Sequence, residues 1–243
     1  MEVLETPEIS HDDRRDVYEY VEREGATRPG KVRRALGMEK RQFGHHVAIL
    51  KRDSVIEEVD GKLRIAFDAG DQKEYDTEEI SYTIRQAREE DLTGLVGAIR
   101  EAIGSGEYVK AETVADIVDS EGVLIRHNEI ESRMFFVACV EGDVVGWVHL
   151  KHVDLEKLKH TAELTLGVLE AYRGMGIGSH LLERGVGWAD EQGLEKIYNA
   201  IPAENESAIE FLEAHGFETE AVREDHYKLN GHYIDEVMMA QEL

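Results

Sequence analysis

One cysteine, three prolines, two tryptophans and few basic residues mark this chain of 243 amino acids. A single thiol, Cys139, excludes an internal disulfide. It sits inside an apolar strand pattern with nothing basic beside it, which fits a buried, inert thiol better than a nucleophile. No apolar run reaches the roughly 20 residues that a membrane-spanning helix requires. The opening residues, MEVLETPEIS, are acidic, unlike the basic-then-apolar start of a secretory leader. These absences point to a soluble, cytoplasmic protein. Histidines are scattered, and the adjacent pair His45 and His46 cannot share one face of a helix, so no metal is expected.

What the chain does have is acid. Asp and Glu number 52 against 28 Lys and Arg, a formal net charge of -24, and arginine outnumbers lysine. Self-repulsion on that scale destabilises a compact state at low salt and is screened at high salt. The composition suggests a halophilic protein.

The densest signal is Tyr172-Arg173-Gly174-Met175-Gly176-Ile177-Gly178-Ser179. It follows an apolar run, 163–169, that reads as a strand. It opens the segment 179–191, whose apolar positions Leu181, Leu182, Val186 and Trp188 recur at helical spacing. Strand, glycine turn and helix predict main-chain N–H groups gathered at a helix start, which is a cradle for a pyrophosphate. The glycines do not fall at the first, third and sixth positions of a dinucleotide fingerprint, and no Gly-Lys-Ser/Thr closes a Walker A turn.

This segment resembles the R-x-x-G-x-G signature of the GNAT N-acetyltransferase superfamily, carried by Arg173, Gly176 and Gly178. Tyr82-Thr83-Ile84-Arg85 and 87–91 resemble that family's first strand and entry to its first helix, and 135–150 its second and third strands around Glu141-Gly142-Asp143. Asn205-Glu206-Ser207-Ala208-Ile209-Glu210-Phe211-Leu212 with His215-Gly216-Phe217 resembles a second family motif, and 231–239 its closing strand. The resemblance implies an α/β GNAT fold over residues 79–243, a mixed sheet splayed between its fourth and fifth strands with flanking helices.

Ahead of it, residues 1–78 have their own pattern. A helical stripe of Val17, Tyr18, Tyr20 and Val21 stops at Gly25. Thr27 offers a cap and Pro29 an early position for a short second helix through Val32, Ala35 and Leu36. A third helix, 39–52, carries Phe43, Val47, Ile49 and Leu50. Then 55–59 and 62–67 around Asp60-Gly61 predict a hairpin with a two-residue turn. Three helices and a hairpin resemble a winged helix-turn-helix domain. Nine Lys/Arg between Arg23 and Arg52 form the one strong positive cluster in the chain. In a DNA-binding version, residues 28–64 would meet the duplex, with Gln42, His45 and His46 at base edges and Lys62 and Arg64 on the wing. Protein docking is the competing use. The stretch 68–79 reads as linker, 92–103 as a helix ended by Gly104-Ser105-Gly106, and 113–123 as another helix.

For the site, the superfamily resemblance implies acetyl-CoA as cosubstrate. The amides of Arg173, Gly174, Met175, Gly176, Ile177, Gly178 and Ser179 would hold the pyrophosphate, with the Arg173 guanidinium matching a phosphate in charge and shape. Leu166 and Val168 would offer unpaired backbone to the pantetheine arm, and the Val168 amide would face the thioester oxygen. Gly167 would mark a bulge that splays the strand. Asn205 would touch the pantetheine arm or act as a helix cap. Glu163 would be the general base and Tyr227 the acid that protonates the departing thiolate, with His149, His152 and His226 as reserve bases. An acid that some members carry in the fifth strand is replaced by Ala200. The expected activity is transfer of an acetyl group to a primary amine of a protein or small molecule in a ternary complex, with a targeting or regulatory N-terminal domain. The alternative is a DNA-binding regulator whose GNAT domain senses acetyl-CoA. No membrane partner is expected, and a homodimer is left open.

Overall fold

The computed structural model describes residues 7, 9–66, 72–77, 79–103, 109–128, 130–229 and 231–243. The Gly104-Ser105-Gly106 stop, residues 68–71 of the expected linker, Phe67 at the end of the expected hairpin and most of the first ten residues lie outside those.

Near the N-terminus run α1 (Asp12–Glu24), α2 (Pro29–Ala35) and α3 (Lys40–Arg52), followed by β1 (Ile56–Val59) and β2 (Lys62–Ile65). Their apolar stripes meet in a core of Val17, Tyr18, Val21, Val32, Phe43, Leu50, Ile56 and Leu63. The hairpin turns through Asp60 and Gly61 with φ of 51° and 71°, a turn whose twist matches the strands that it joins. Thr27 does not cap α2. It exchanges both main-chain hydrogen bonds with Leu63, at 2.8 and 2.7 Å, and so adds a third extended segment beside β2. Arg28 holds the cap position, with no side-chain bond to the helix.

The rest of the chain forms a nine-stranded sheet. Its elements are β3 (Lys73–Asp76), β4 (Ser81–Gln86), α4 (Leu92–Ile103), α5 (Val109–Glu121), β5 (Arg126–His127), β6 (Glu131–Val140), β7 (Asp143–Val153), β8 (Thr161–Val168), α6 (Ile177–Glu191), β9 (Lys196–Pro202), α7 (Glu206–Ala214), β10 (Glu218–Leu229) and β11 (His232–Glu242). The strand order is β10-β11-β9-β8-β7-β6-β4-β3, with β5 also on β6. Among the described residues, only β8 and β9 pair in parallel. The stretch expected as linker therefore contributes an edge strand. Lys73-Glu74-Tyr75-Asp76 has a single apolar side chain, too little for a periodic signal, and Tyr75 docks by stacking on Tyr82 and His180.

The central strands are covered on both faces, so they read as continuous apolar runs. Phe135, Val137 and Trp147 meet Leu95, Ile99 and Ala115 of α4 and α5. Met134, Phe136, Val148, Leu150 and Leu164 meet Leu181, Leu182 and Trp188 of α6 on the other face. Each such large side chain, fully buried, contributes about 1.5–3 kcal/mol. Cys139 is buried in β6 and its thiol pKa is pushed up by that burial, which suits an inert side chain.

Between the N-terminal helices and the sheet, Tyr18 Oη donates to the His127 carbonyl at 2.6 Å. Glu22, 7% exposed, faces Arg126 at 3.3 Å and accepts from Asn128 Nδ2 at 3.0 Å.

Candidate active site

The sheet forks between β8 and β9. Their pairing consists of Thr161 with Lys196, Ala162 with Ile197 and Glu163 with Tyr198, and stops there. Leu164 to Val168 stay bonded to β7 on one edge and present the other to the gap. A cavity of about 50 Å³ occupies the fork, walled by Thr165 and Leu166, by Asn199 to Pro202, and by Asn205 and Phe211. The splay needs no bulge. The register from Ala162 to Val168 against β7 is unbroken, so the expected bulge at Gly167 is corrected. Gly167 is small for a different reason: a Cβ there would lie 2.2 Å from Trp147 Cη2.

Beyond β8 the chain makes one 3-10 turn, Glu170–Tyr172, and reverses through Gly174 and Gly176 into α6. Both glycines have positive φ, 79° and 84°, which a side chain would strain. Around Gly174 an added Cβ would meet nothing within 4 Å, so the turn is open to close approach. Among the described residues, no main-chain carbonyl accepts from the N–H groups of Gly174 to Ser179. The Arg173 amide is different, since it bonds to the Glu170 carbonyl. Arg173 Nε donates to the Val168 carbonyl at 3.0 Å, tying the turn to the strand end. Ser179 Oγ pairs with His215 Nε2 at 3.0 Å, which links the start of α6 to the end of α7. Met175 is half-buried, whereas Ile177 is core. Asn205 caps α7, its Oδ1 accepting from the Ala208 N–H at 3.2 Å while the side chain borders the fork cavity.

Glu163, at the last paired position before the fork, faces Lys110 Nζ of α5 at 3.3 Å. Tyr227 lies on β10, with β9 and β11 between that strand and β8. Its hydroxyl donates to Glu236, a fully buried carboxylate that Arg223 also holds at 2.8 Å. Burial, then the hydrogen bond and charge of Glu236, raise the Tyr227 phenol well above its ordinary value, so it is a weaker acid than a free tyrosine. His149 is 2% exposed, and burial followed by Arg133 and Lys151 pulls its pKa down to about 3. It is neutral at physiological pH and a poor base. His152 is tied to the Lys159 carbonyl. His226 lies 3.6 Å from Glu236. Ala200 lines the fork, as its sequence position implies.

On the α4/α5 face, next to the fork, a cavity of about 380 Å³ is lined by Lys110, Glu131, Arg133, His149, Lys151 and Glu163 among others. The sheet register sets Arg133 beside Lys151 and Lys151 beside Glu163 in one row. Like charges side by side on a sheet are destabilising, and here Glu121 balances Arg133 while Glu131 balances Lys151. His149 Nδ1 meets Thr165 Oγ1 at 3.2 Å, and its Nε2 is buried without a partner among the described residues. No motif marks Lys110, Arg133, Lys151 or Asn199. The available signal is weak: a charge at a core-facing position of an otherwise apolar strand, as at Arg133.

The open edge of β8 and the glycine turn that follows it lie within residues 107–217, the segment matched by the model of the Acetyltransferase (GNAT) family. Residues 107–217 form a GNAT acetyltransferase domain. The putative phosphinothricin acetyltransferase YwnH of Bacillus subtilis is 29% identical over 137 residues, 56% of this chain and 83% of that protein. The L-amino acid N-acetyltransferase AaaT of Escherichia coli is 27% identical over 106 residues, 43% of this chain and 65% of that enzyme. In fold, the chain is similar to yncA, a putative acetyltransferase from Salmonella typhimurium solved with its cofactor acetyl-CoA. The TM-score is 0.55 at 20% identity, covering 67% of this chain and 94% of that one. The GNAT domain makes this chain an N-acetyltransferase.

Proposed function

We propose that the chain transfers an acetyl group from acetyl-CoA to the amine of a small amino-acid-like acceptor. The observation that carries this is the fork itself: an unpaired edge of β8 leads into amides 174–179 without main-chain acceptors, a shape and charge suited to a pantetheine arm and its diphosphate. Acetyl-CoA supplies an activated thioester. Gly174 to Ser179 bind the diphosphate, Leu166 and Val168 line the arm, and Asn205 both caps α7 and borders the channel. The Val168 N–H is the proposed donor to the developing oxyanion.

The acceptor class follows from the larger cavity, which presents carboxylates and cations together. Glu163 takes the amine's proton, and Lys110, whose ammonium lies 3.3 Å from Glu163, occupies the place that an acceptor ammonium would take. Arg133 and Lys151 suit a carboxylate. The names of YwnH and AaaT agree with a small amino-acid-like acceptor. Tyr227 is the proposed proton donor to the thiolate, at the expense of its hydrogen bond to Glu236. The test is thiol release from acetyl-CoA against a panel of L-amino acids, peptides and polyamines. Turnover with free amino acids above the rest supports the reading. Turnover with peptides alone would overturn the acceptor, and no heat of binding with acetyl-CoA would overturn the donor.

A second reading concerns residues 1–78, which we propose as a winged helix-turn-helix module that targets or regulates residues 79–243. Arg28, Arg34, Lys40 and Arg41 are exposed and, among the described residues, form no ion pair, whereas Lys31, Lys51 and Arg52 are paired with acids. Arg41, His45, Ala48 and Arg52 form one exposed stripe on α3. That stripe is the surface to offer DNA phosphates, and binding that does not weaken as salt rises would remove it. One expected base contact is corrected, since His46 is buried, while Gln42 is exposed and donates to Asp13 at 2.7 Å. The net charge of -24 extends the proposal to a saline working environment, checked by whether the melting temperature rises with salt.

A further inference from the structure

His46 points inward from α3, 4% exposed, and among the described residues neither of its ring nitrogens has a hydrogen-bond partner. Leaving a polar ring in that state is costly unless something else engages it. Its polar surroundings come from the start of α1. Asp13 Oδ2 stands 3.2 Å from His46 Nε2, off the line that a hydrogen bond needs, and the His11 ring lies 4.8 Å away, centre to centre. One ligand atom from each of His11, Asp13 and His46 falls within 4.8 Å of the others. Two donors each about 2.0–2.1 Å from a tetrahedral zinc ion stand roughly 3.3 Å apart, close to the His46–Asp13 separation. Gln42 Nε2 donates to Asp13 Oδ2 at 2.7 Å, the kind of outer bond that fixes a ligating carboxylate. Arg14 and His45 also face this ring and work against a cation, while the Asp13 carboxylate favours it.

We propose that His11, Asp13 and His46 bind one divalent transition-metal ion, zinc being the best match to two imidazoles and a carboxylate, with water completing the shell. The ion clamps the first turn of α1 to α3, the helix whose outer stripe is offered to a partner. Spacing along a single helix hides such a site, because its ligands come from the residue before α1, from the first turn of α1 and from α3, which only the fold brings together.

The test uses the full chain in about 1 M NaCl, where a Debye length of about 3 Å suppresses loose binding to an acidic surface. Equilibrium dialysis with Zn²⁺ should give one ion per chain, and Co²⁺ should give the visible absorption of a four- or five-coordinate site. Since His11 is exposed, His11→Ala leaves the core intact, and it should weaken Zn²⁺ at least about tenfold, as should Asp13→Asn. Gln42→Ala should weaken it about 10–100-fold. The exposed His232→Ala should change nothing. Absence of stoichiometric Zn²⁺, or equal affinity in the wild type and His11→Ala, overturns the proposal.

Discussion

The seam between the N-terminal helices and the sheet and the fork between β8 and β9 use the same polar chemistry to opposite ends. At the seam, Glu22 meets Arg126 and Asn128, Glu121 holds both Arg126 and Arg133, and Tyr18 finds the His127 carbonyl. At the fork β8 leaves its partner and, among the described residues, the amides of the glycine turn have no main-chain acceptor, nor has His149 Nε2 in the adjoining cavity a partner. Satisfied buried groups make a joint, and unsatisfied ones make a place for something else. The two regions also touch one network, because Glu121 and Arg133 line the charged cavity while Glu121 reaches Arg126 at the seam.

The sharpest way to separate the regions is to break one and read the other. Glu163→Gln keeps the volume and removes the base, so kcat should fall about 10²–10⁴-fold while the melting temperature holds. A wild-type rate would remove Glu163 from the mechanism. Glu22→Ala leaves Arg126 with only Glu121. It should destabilise the protein by about 3 kcal/mol, seen as a lower urea midpoint, while acetyl-CoA affinity is kept. An unchanged midpoint would mean that the seam is not a joint. Gly167→Ala drives a methyl group into Trp147 under the fork and should cost about 1–3 kcal/mol, with the loss appearing in thermal melts.

The smallest effect tests polarity at the seam itself. Burial raises the pKa of Glu89 even though its carboxylate accepts from the Leu124 N–H and lies near Arg133. The folded chain thus holds this proton to higher pH than the unfolded chain, and stability falls as pH rises from the ordinary carboxylate value through the raised one. Glu89→Gln keeps the acceptor and removes that loss. Its melting temperature should exceed wild type by about 1–4 °C at neutral pH and converge with it below about pH 4. A difference that is constant with pH would exclude the titration as its cause.

Elements whose evidence is local were legible in the chain. The Asp60-Gly61 hairpin, the helix after Gly176 and the apolar strands β6 and β7 declare themselves through turn chemistry and period. Elements defined by what they pair with were not. Thr27 has the side chain of a helix cap but joins Leu63, and β3 has one apolar residue and is held by Tyr75 against Tyr82 and His180.

By itself the sequence determined the nature of the cradle, since positive φ at Gly174 and Gly176 and unpaired amides at a helix start are properties of a short stretch of backbone. Tertiary structure alone decided which charges face one another. The row of Arg133, Lys151 and Glu163, the hydrogen bond of Tyr227 to Glu236 and the approach of His46 to Asp13 all join residues of different strands or helices. The physical reason is that a backbone preference is paid locally, whereas the energy of a charge depends on every group that the fold carries to its side.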